Sequence, residues 1–362
     1  MDSRFSVARI RDFIVRAMEA VGVRDTDAQI VADVLSAADL RGIDSHGIAR
    51  LERFYVDPVR GGRIAADAAP TTLQRSATSI SLEARNGLGH PVSVYAMREA
   101  LDAAAKSGMA IATVRNSNHH GATSFYAMMA LERDMIGLAT TNTPHVMVPT
   151  FGREAVLGTN PISVAIPGAD GDAFVLDMAT SAVAYGKLEL ASRAGRALEP
   201  GWAVDSAGRA TVDPAAALGG ALLPLGGLGV DHGGHKGYGL SLLVELLTGV
   251  LAGGVFGSAL PSRDDFFDPP GATSHLFIAI DVAHFRAVRD FESDVRKLLN
   301  ELRESQPADG SLRVYAPGDI EAQISRERFN RGIVIDPSVL ESLNRLADEL
   351  EIAPLASTKN SD

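Results

Sequence analysis

The spacing of apolar residues changes character twice along these 362 residues, and each change limits what the chain can build. Residues 3–21 and 26–41 place Phe5, Ile10, Phe13, Ile14 and Met18, then Ile30, Val31, Val34, Leu35 and Ala38, at the intervals of an amphipathic helix. Thr26 with Gln29 three residues on predicts a capping box at the second start. A third helix is predicted to follow Ser45 and run to about Val56, before Pro58, Gly61 and Gly62 break it. From about residue 78 the pattern becomes strand-like. SISLEA, MAIATVR, MIGLATT, ISVAIP, AFVLDM and LFIAIDV read as strands. Between them NGLGHP turns, and VSVYAMREALDAAAKSG, TSFYAMMALERD, 237–252 and 286–305 read as helices. The last 50 residues return to helix, and the tail STKNSD is too polar to pack. Strands and helices mix without strict β-α-β alternation, which predicts an α+β fold rather than a doubly wound sheet. No G-x-G-x-x-G follows a strand and no P-loop pattern occurs, so neither a standard Rossmann site nor a P-loop is expected.

At roughly 100–200 residues per domain, the length suggests two or three structural units. A net charge of −11 with no Lys/Arg stripe argues against nucleic acid as a partner. Cysteine is absent, which excludes disulfides, thiol nucleophiles and thiolate metal sites and fits a reducing compartment. The N-terminus has charges scattered through it and no uninterrupted apolar run, so it does not read as a signal peptide. Residues 239–260 are long enough to span a bilayer, but Glu245 interrupts them and several glycines follow. A mid-bilayer carboxylate costs several kcal/mol, about 2.5–3.5 on insertion scales. The expectation is therefore a buried helix ending near Gly253 in a cytoplasmic protein with no membrane partner.

Five polar stretches interrupt the pattern: DSHGIAR (44–50), NSNHHG (116–121), TNTPHVMVPTFG (141–152), LGTNP (157–161) with LDMATS (176–181), and HGGHKGYG (232–239). If Asp44 or Ser45 caps a helix, His46 lies in its first turn and Arg50 one turn along on the same face. A guanidinium grips a carboxylate bidentately and an imidazole exchanges protons near neutral pH, so the pair suits reduction of a 2-oxo acid. Taken alone, the stretch reads equally as a capping serine with a surface His and Arg. His119 and His120 are adjacent and point apart on an extended loop, so one of them faces a site. HGGHKGYG precedes an apolar helix whose N-terminus attracts anions, with Lys236 adding charge. LDMATS places Asp177 at a strand end, to bind a sugar hydroxyl or a carboxamide, or leaves Thr180 or Ser181 to cap a helix. In GTNP, Asn160 before Pro161 predicts extended geometry in a rigid, structural turn.

The ordered set is more specific than any member. S-H-G-x-x-R, N-S-x-H-x-G, P-x-x-G-x-x-x-x-x-G-T-N-P, D-M-A and G-G-H-K-G-Y-G-L, with PGDIEAQISRERFNRGIVID near the end, resemble the malate/L-lactate dehydrogenase family of the non-Rossmann type. The resemblance runs from about residue 5 to residue 353. It implies an α+β fold whose large mixed sheet binds NAD or NADP, with helices from both termini packed together. The implied organisation is a helical segment 1–77 carrying substrate-site residues, an NAD(P)-binding sheet unit 78–312, and a helical segment 313–362 returning onto the first. Homodimers are the family's usual assembly. The implied reaction moves hydride between a nicotinamide and C2 of a 2-hydroxy or 2-oxo acid of malate or lactate type. Reduction of a cyclic imino acid such as Δ1-piperideine-2-carboxylate is the alternative. By motif match, His46 resembles the proton donor/acceptor with Ser45 beside it, Arg50 the carboxylate anchor, and His119 a second histidine competing for the proton role. Thr143, Asp177, Met178, Ala179, His235 and Lys236 match cofactor- or substrate-contacting positions. Two departures stand out: His120, where many members carry Phe, and the insertion FFDPPGATSH (266–275).

Two rival readings remain at this level. A metal hydrolase would use His119, His120, His232 and His235, although zinc-type spacing with a nearby Glu is missing. A non-catalytic dinucleotide-binding oligomer would use the same loops as a cleft.

Overall fold

The computed structural model describes residues 4–263 and 265–355; the tail STKNSD lies outside them. The elements run β1 (Arg4–Phe5), α1 (Val7–Ala20), α2 (Asp25–Leu40), α3 (Asp57–Arg60), β2 (Thr71–Arg75), β3 (Ser79–Glu83), α4 (Gly89–Ser107), β4 (Met109–Ser117), α5 (Thr123–Met128), β5 (Met135–Thr141), β6 (Ile162–Ile166) and β7 (Phe174–Met178). They continue with α6 (Gly186–Arg193), β8 (Ala203–Val204), β9 (Ala210–Thr211), α7 (Pro214–Leu218), β10 (Ala221–Leu222), α8 (Gly234–Glu245), β11 (Thr273–Asp281), α9 (Val288–Arg303), α10 (Asp319–Arg331), β12 (Ile333–Val334) and α11 (Pro337–Glu349).

The seven-stranded sheet has the order β2-β3-β4-β11-β5-β6-β7. Only β3 and β4 pair in parallel, joined by α4, and every other pair is antiparallel. This mixed topology bears out the α+β, non-Rossmann expectation, because a doubly wound sheet needs a run of parallel crossovers. Strand β2 is additional to the strands read from sequence. All five of its residues are exposed, so it lacks the apolar alternation that marks a strand.

Two apolar cores meet at the site. Phe13, Ile14 and Met18 of α1 share one core with Leu51 and Tyr55 and with Leu343 and Leu346 of α11. Phe5 of β1 pairs with Ile333 of β12, so the chain's beginning and end are stitched by strand as well as by helix packing. The second core lies between α4 and the sheet, around Met97, Leu101, Val114, Tyr126 and Phe277.

Four local readings need correction. The second helix starts at Asp25, with Arg24 in the cap position and no side-chain cap bond, and Gln29 donates to Asp25 at 2.9 Å. Asp25 and Asp27 in the first turn complement the helix dipole in place of the capping box. Residues 44–56 form two 3₁₀ turns and a π turn rather than a helix, because Gly47 is extended (φ −92°, ψ −153°) between them. Asn160 sits at φ 34°, not extended. Its side chain accepts from the Thr143 amide and donates to Ser241 and Glu245, and those bonds override the pre-proline preference.

The fourth concerns α8 and the π turn Leu246–Val250 that continues it. Ser241, Val244, Glu245 and Thr248 face inward, whereas Leu242, Leu243, Leu246 and Val250 are 37–48% exposed. The helix is therefore buried on one face only. Glu245 explains its own place in an apolar run. Its carboxylate accepts from Asn160 at 2.8 Å, the Gly257 amide at 3.0 Å and Asn142 at 3.5 Å, clamping α8 to the loops that follow β5 and precede β6. Burial pushes its pKa up and these donors oppose the shift. Glu245→Ala strands buried donors that each cost about 1–3 kcal/mol unmet. A loss on the order of 3 kcal/mol in urea unfolding is expected, and a loss below about 0.5 kcal/mol would remove the clamp from the account.

Candidate active site

The DSHGIAR loop is shaped by what lies beneath it. Asp39, on the buried face of α2, accepts the Ile48 amide at 2.8 Å, and a side chain on Gly47 would run into its carboxylate. The glycine in S-H-G is thus a requirement of close approach. From the C-terminal segment, Arg328 of α10 binds both carboxylate oxygens of Asp44 and the Asp39 carbonyl. The loop is clamped from two sides, with His46 half-buried and its ring turned to the end of the sheet.

Arg50 donates from Nε to the Ser45 carbonyl at 2.6 Å and lies over the Phe54 ring, 4.8 Å from its centroid. Its two terminal nitrogens hold no hydrogen bond to the described residues, and they present a bidentate fork. Ser45 Oγ lies 2.9 Å from His46 Nδ1. The His46 and His119 rings stack at 5.7 Å, 21° apart, so residues 73 positions apart in sequence share one surface. His119 comes from the loop after β4, which Asn118 ties to Asn86 and Gly87 through bonds of 2.9–3.2 Å. Fully buried Tyr55 places its hydroxyl 2.6 Å from His119 Nδ1, and the Gly121 amide donates to the same nitrogen at 3.3 Å.

The charge states follow from burial. His46 is pushed down to about 4 by burial and by Arg50, against a smaller upward pull from Asp177. His119 is held well below the usual range by burial and by the surrounding His46, His90, Arg50 and His275. Burial raises the Tyr55 phenol. At neutral pH the site holds two neutral imidazoles beside a fixed guanidinium, a base-and-anchor arrangement for an anionic substrate.

The other expected residues are distributed as follows. Asp177, exposed at the end of β7, accepts the Ser124 amide at 3.2 Å, and its field reaches His46. Met178 and Ala179 are half-buried just beyond it. Thr143 accepts the Thr159 amide at 2.9 Å and joins the Asn160–Glu245 network that leads to α8. His235 and Lys236 are exposed in the first turn of α8, whose N-terminus has no side-chain cap. A side chain on Gly234 would meet the Gly227 carbonyl, so the glycine-rich loop lies directly against that helix start. The His235 and Lys236 amides of that turn donate to the Gly229 and Gly233 carbonyls at 3.2 and 2.9 Å, so the helix start offers an anion the charge of Lys236 rather than open amides.

His120 turns away from the cleft. It is buried, bonds Ser93 at 3.0 Å and stacks on His275 at 4.2 Å, so it is packing rather than an extra polar ring in the site. Among the described residues no three of His, Cys, Asp or Glu group to hold a metal ion, which leaves the hydrolase without a ligand set. Three contributors escaped the sequence reading. Asp39 lies four residues after Leu35 on an apolar face, and Tyr55 four after Leu51; a polar group at a core position was the available signal. Phe266, from the unaligned insertion, packs on Phe54 at 5.0 Å and His119 at 5.9 Å, and only the structure reveals that.

A family model described as malate/L-lactate dehydrogenase matches residues 5–344. A malate dehydrogenase of Pyrococcus abyssi is 40% identical over 344 residues, covering 95% of this chain and 94% of that one. A (2R)-3-sulfolactate dehydrogenase (NADP+) of Chromohalobacter salexigens is 35% identical over 288 residues, 79% of this chain and 83% of the relative. Among solved structures, malate dehydrogenase from Pyrococcus horikoshii OT3 superposes with a TM-score of 0.89 at 37% identity, covering 97% and 96% of the two chains. Δ1-Piperideine-2-carboxylate reductase from Pseudomonas syringae gives 0.82 at 33% identity over 95% and 99%. No helix of the described residues is long and apolar enough to cross a membrane.

Burial pushes the Asp39 carboxyl up to about 7, Ile48 and Arg328 opposing and Asp44 reinforcing. A raised carboxyl pKa gives stability that is present below the unfolded value, near 4, and lost as pH rises through 7. Asp39→Asn stays neutral throughout. Between pH 5 and pH 8 the wild type should lose about 2.7 kcal/mol of unfolding free energy relative to Asp39→Asn, at about 1.4 kcal/mol per pH unit up to pH 7. Parallel stability curves would contradict a buried, titrating Asp39.

Proposed function

The chain belongs to the malate/L-lactate dehydrogenase family, and from that premise we propose how its residues carry the reaction. It is an NAD(P)-dependent oxidoreductase acting on the CH–OH group of a 2-hydroxy acid, or on the corresponding 2-oxo acid. The nicotinamide supplies or takes up hydride at C2 of the substrate. The observation carrying our assignment of roles is the convergence of Arg50, His46 and His119 on one cleft.

Arg50 anchors the substrate carboxylate through its free terminal nitrogens, and Phe54 and Ser45 hold its plane. The two histidines flank the C2 oxygen, and one of them exchanges its proton. Burial is the larger cause of the depressed His46 and Arg50 the smaller, so bringing the carboxylate to Arg50 offsets the second of the two and raises that imidazole's proton affinity. Thr143, Asp177, Met178, Ala179, His235 and Lys236 hold the dinucleotide on the sheet unit 78–312. The helical segment 1–77 supplies His46 and Arg50, the sheet unit supplies His119, and Arg328 of the C-terminal segment braces Asp44. Reduction of a cyclic imino acid is a second reading, favoured only by the likeness to the piperideine-carboxylate reductase.

The protein acts, on this proposal, as a cytoplasmic homodimer. Support comes from the outward Leu242, Leu243, Leu246 and Val250 stripe, an apolar surface that a second copy can cover. Light scattering should give twice the 38.1 kDa chain mass, and Leu243→Glu with Leu246→Glu should halve it. A monomeric wild type would overturn the dimer.

Oxidation of NADH or NADPH in the presence of 2-oxo acids, followed by absorbance, tests the reaction; Δ1-piperideine-2-carboxylate as the best acceptor would favour the second reading. Arg50→Ala should lower kcat/KM by about 100-fold or more, because a buried bidentate ion contact is worth several kcal/mol, roughly 1.5–3 per charged bond. Unchanged kcat/KM would refute the anchor.

A further inference from the structure

We propose that Phe266 and Phe54 form an apolar wall for the substituent on C3 of the substrate, so that the cleft selects 2-oxo acids with a bulky apolar side chain over malate-type acids with a second carboxylate. The proposal rests on the 2-oxo acid reading above and adds to it the chemistry of the substrate's far end.

Carbon 2 of a 2-oxo acid has three neighbours: the carboxylate carbon, the oxygen and C3. On the reading above Arg50 takes the carboxylate and the two histidines take the oxygen, which leaves C3 to be received. The side chain that touches both holders is Phe54. Its ring centre lies 4.8 Å from the Arg50 guanidinium carbon and 5.2 Å from the His119 ring. Phe266 extends this surface, edge-on to Phe54 at 5.0 Å and to His119 at 5.9 Å. Phe267 backs it, 5.3 Å from Phe266 and 6.4 Å from Phe54. Phe54 is buried beneath the other two, which are half-buried and keep part of their rings open. Such rings receive apolar carbon and offer nothing to a carboxylate.

The segment that bears Phe266 is fixed at several points. Before it, the His145 amide donates to the Pro261 carbonyl at 3.2 Å, and Asp265 pairs with Arg63 at 3.2 Å. After it, a side chain on Gly271 would run into Asn116 and Asn86, so the backbone is pressed against the loops around β4 before β11 begins at Thr273. A ring held in this way selects by shape, and one methylene in an apolar pocket changes discrimination by about 10–200-fold. Charge acts in the same direction. Asp265 and Asp268 flank the two phenylalanines in the chain, and Arg63 is already committed to Asp265. Arg53, a second guanidinium at the Phe54 ring, lies 5.8 Å from its centre and is exposed, where water and salt screen its pull on an anion. A second carboxylate on the C3 side would exchange water for ring carbons beside like charge, which costs affinity.

The test compares substrates within each enzyme. With saturating NADH or NADPH, kcat/KM for 4-methyl-2-oxopentanoate should exceed that for pyruvate and for oxaloacetate by about 10-fold or more. Phe266→Ala should collapse the ratio of 4-methyl-2-oxopentanoate to pyruvate by about 10-fold, and Phe266→Leu, which keeps an apolar wall, should retain most of it. Oxaloacetate as the best wild-type substrate, or a ratio that Phe266→Ala leaves in place, overturns the proposal. A second readout needs no turnover. In calorimetry with the reduced dinucleotide bound, N-isobutyl oxamate, an inert analogue of a branched 2-oxo acid, should bind about 10-fold or more tightly than oxamate, and Phe266→Ala should remove the difference. Equal affinities in the wild type, or no binding of either analogue, also overturn the wall. A wild type that reduces no 2-oxo acid yet shows this Phe266-dependent preference sinks the underlying reaction and leaves the wall standing.

Discussion

The Tyr55 hydroxyl, 2.6 Å from His119 Nδ1, ties together two parts of the molecule that have separate apolar cores, beside the Asn86–Arg63 bond and the Tyr55–His90 ring contact. Tyr55 is rooted among α1, α11 and the turns after α2, whereas His119 hangs from the end of β4. Neither part holds a complete site. His46 and Arg50 need the first core and the Arg328 clamp from α10 to fix their loop, and His119 needs the sheet. The strand pairing of the two chain ends serves the same purpose, because it keeps α10 and α11 against the segment they brace.

The electrostatic design follows from that junction. Bringing a loop and a sheet end together buries several imidazoles near one guanidinium, and every shifted histidine moves towards neutrality. Positive charge is therefore concentrated on Arg50, whose terminal nitrogens are left for an anion. Two buried histidines away from the cleft, His120 and His275, stack at 4.2 Å and satisfy themselves through Ser93, Thr141 and Ser117. Their chemistry is packing, which takes His120 out of the set of His119, His120, His232 and His235 on which the rival metal reading rested.

Much of the frame was legible in the order of apolar residues. Strands such as Met135–Thr141 and Ile162–Ile166 are half-buried with alternating faces, and the pattern marks them directly. The candidate site was legible as an ordered set of polar stretches set against the apolar pattern, although Asn118, His120, Asn142 and Asn160 within them are buried and serve the packing. What escaped depends on contacts distant in sequence. Residues 44–56 carry helical spacing, yet Asp39 beneath Gly47 imposes turns. Asn160 obeys Glu245 and Thr143 rather than the proline after it. The apolar run after Gly237 does not reveal which face is covered, because hydrophobic residues occupy both. Phe266 reaches His119 from 147 residues away, and no local pattern encodes that approach.

The central claim is that hydride passes between the nicotinamide and C2 of a 2-oxo or 2-hydroxy acid held against this cleft. The direct measurement is isotopic: incubate the enzyme with a 2-oxo acid it reduces and nicotinamide cofactor carrying two deuterons at C4, then locate the label in the product by NMR. The account predicts one deuteron on C2 of the hydroxy acid, with the hydroxyl proton drawn from solvent. A product with protium at C2, or with label at any other carbon, would contradict it.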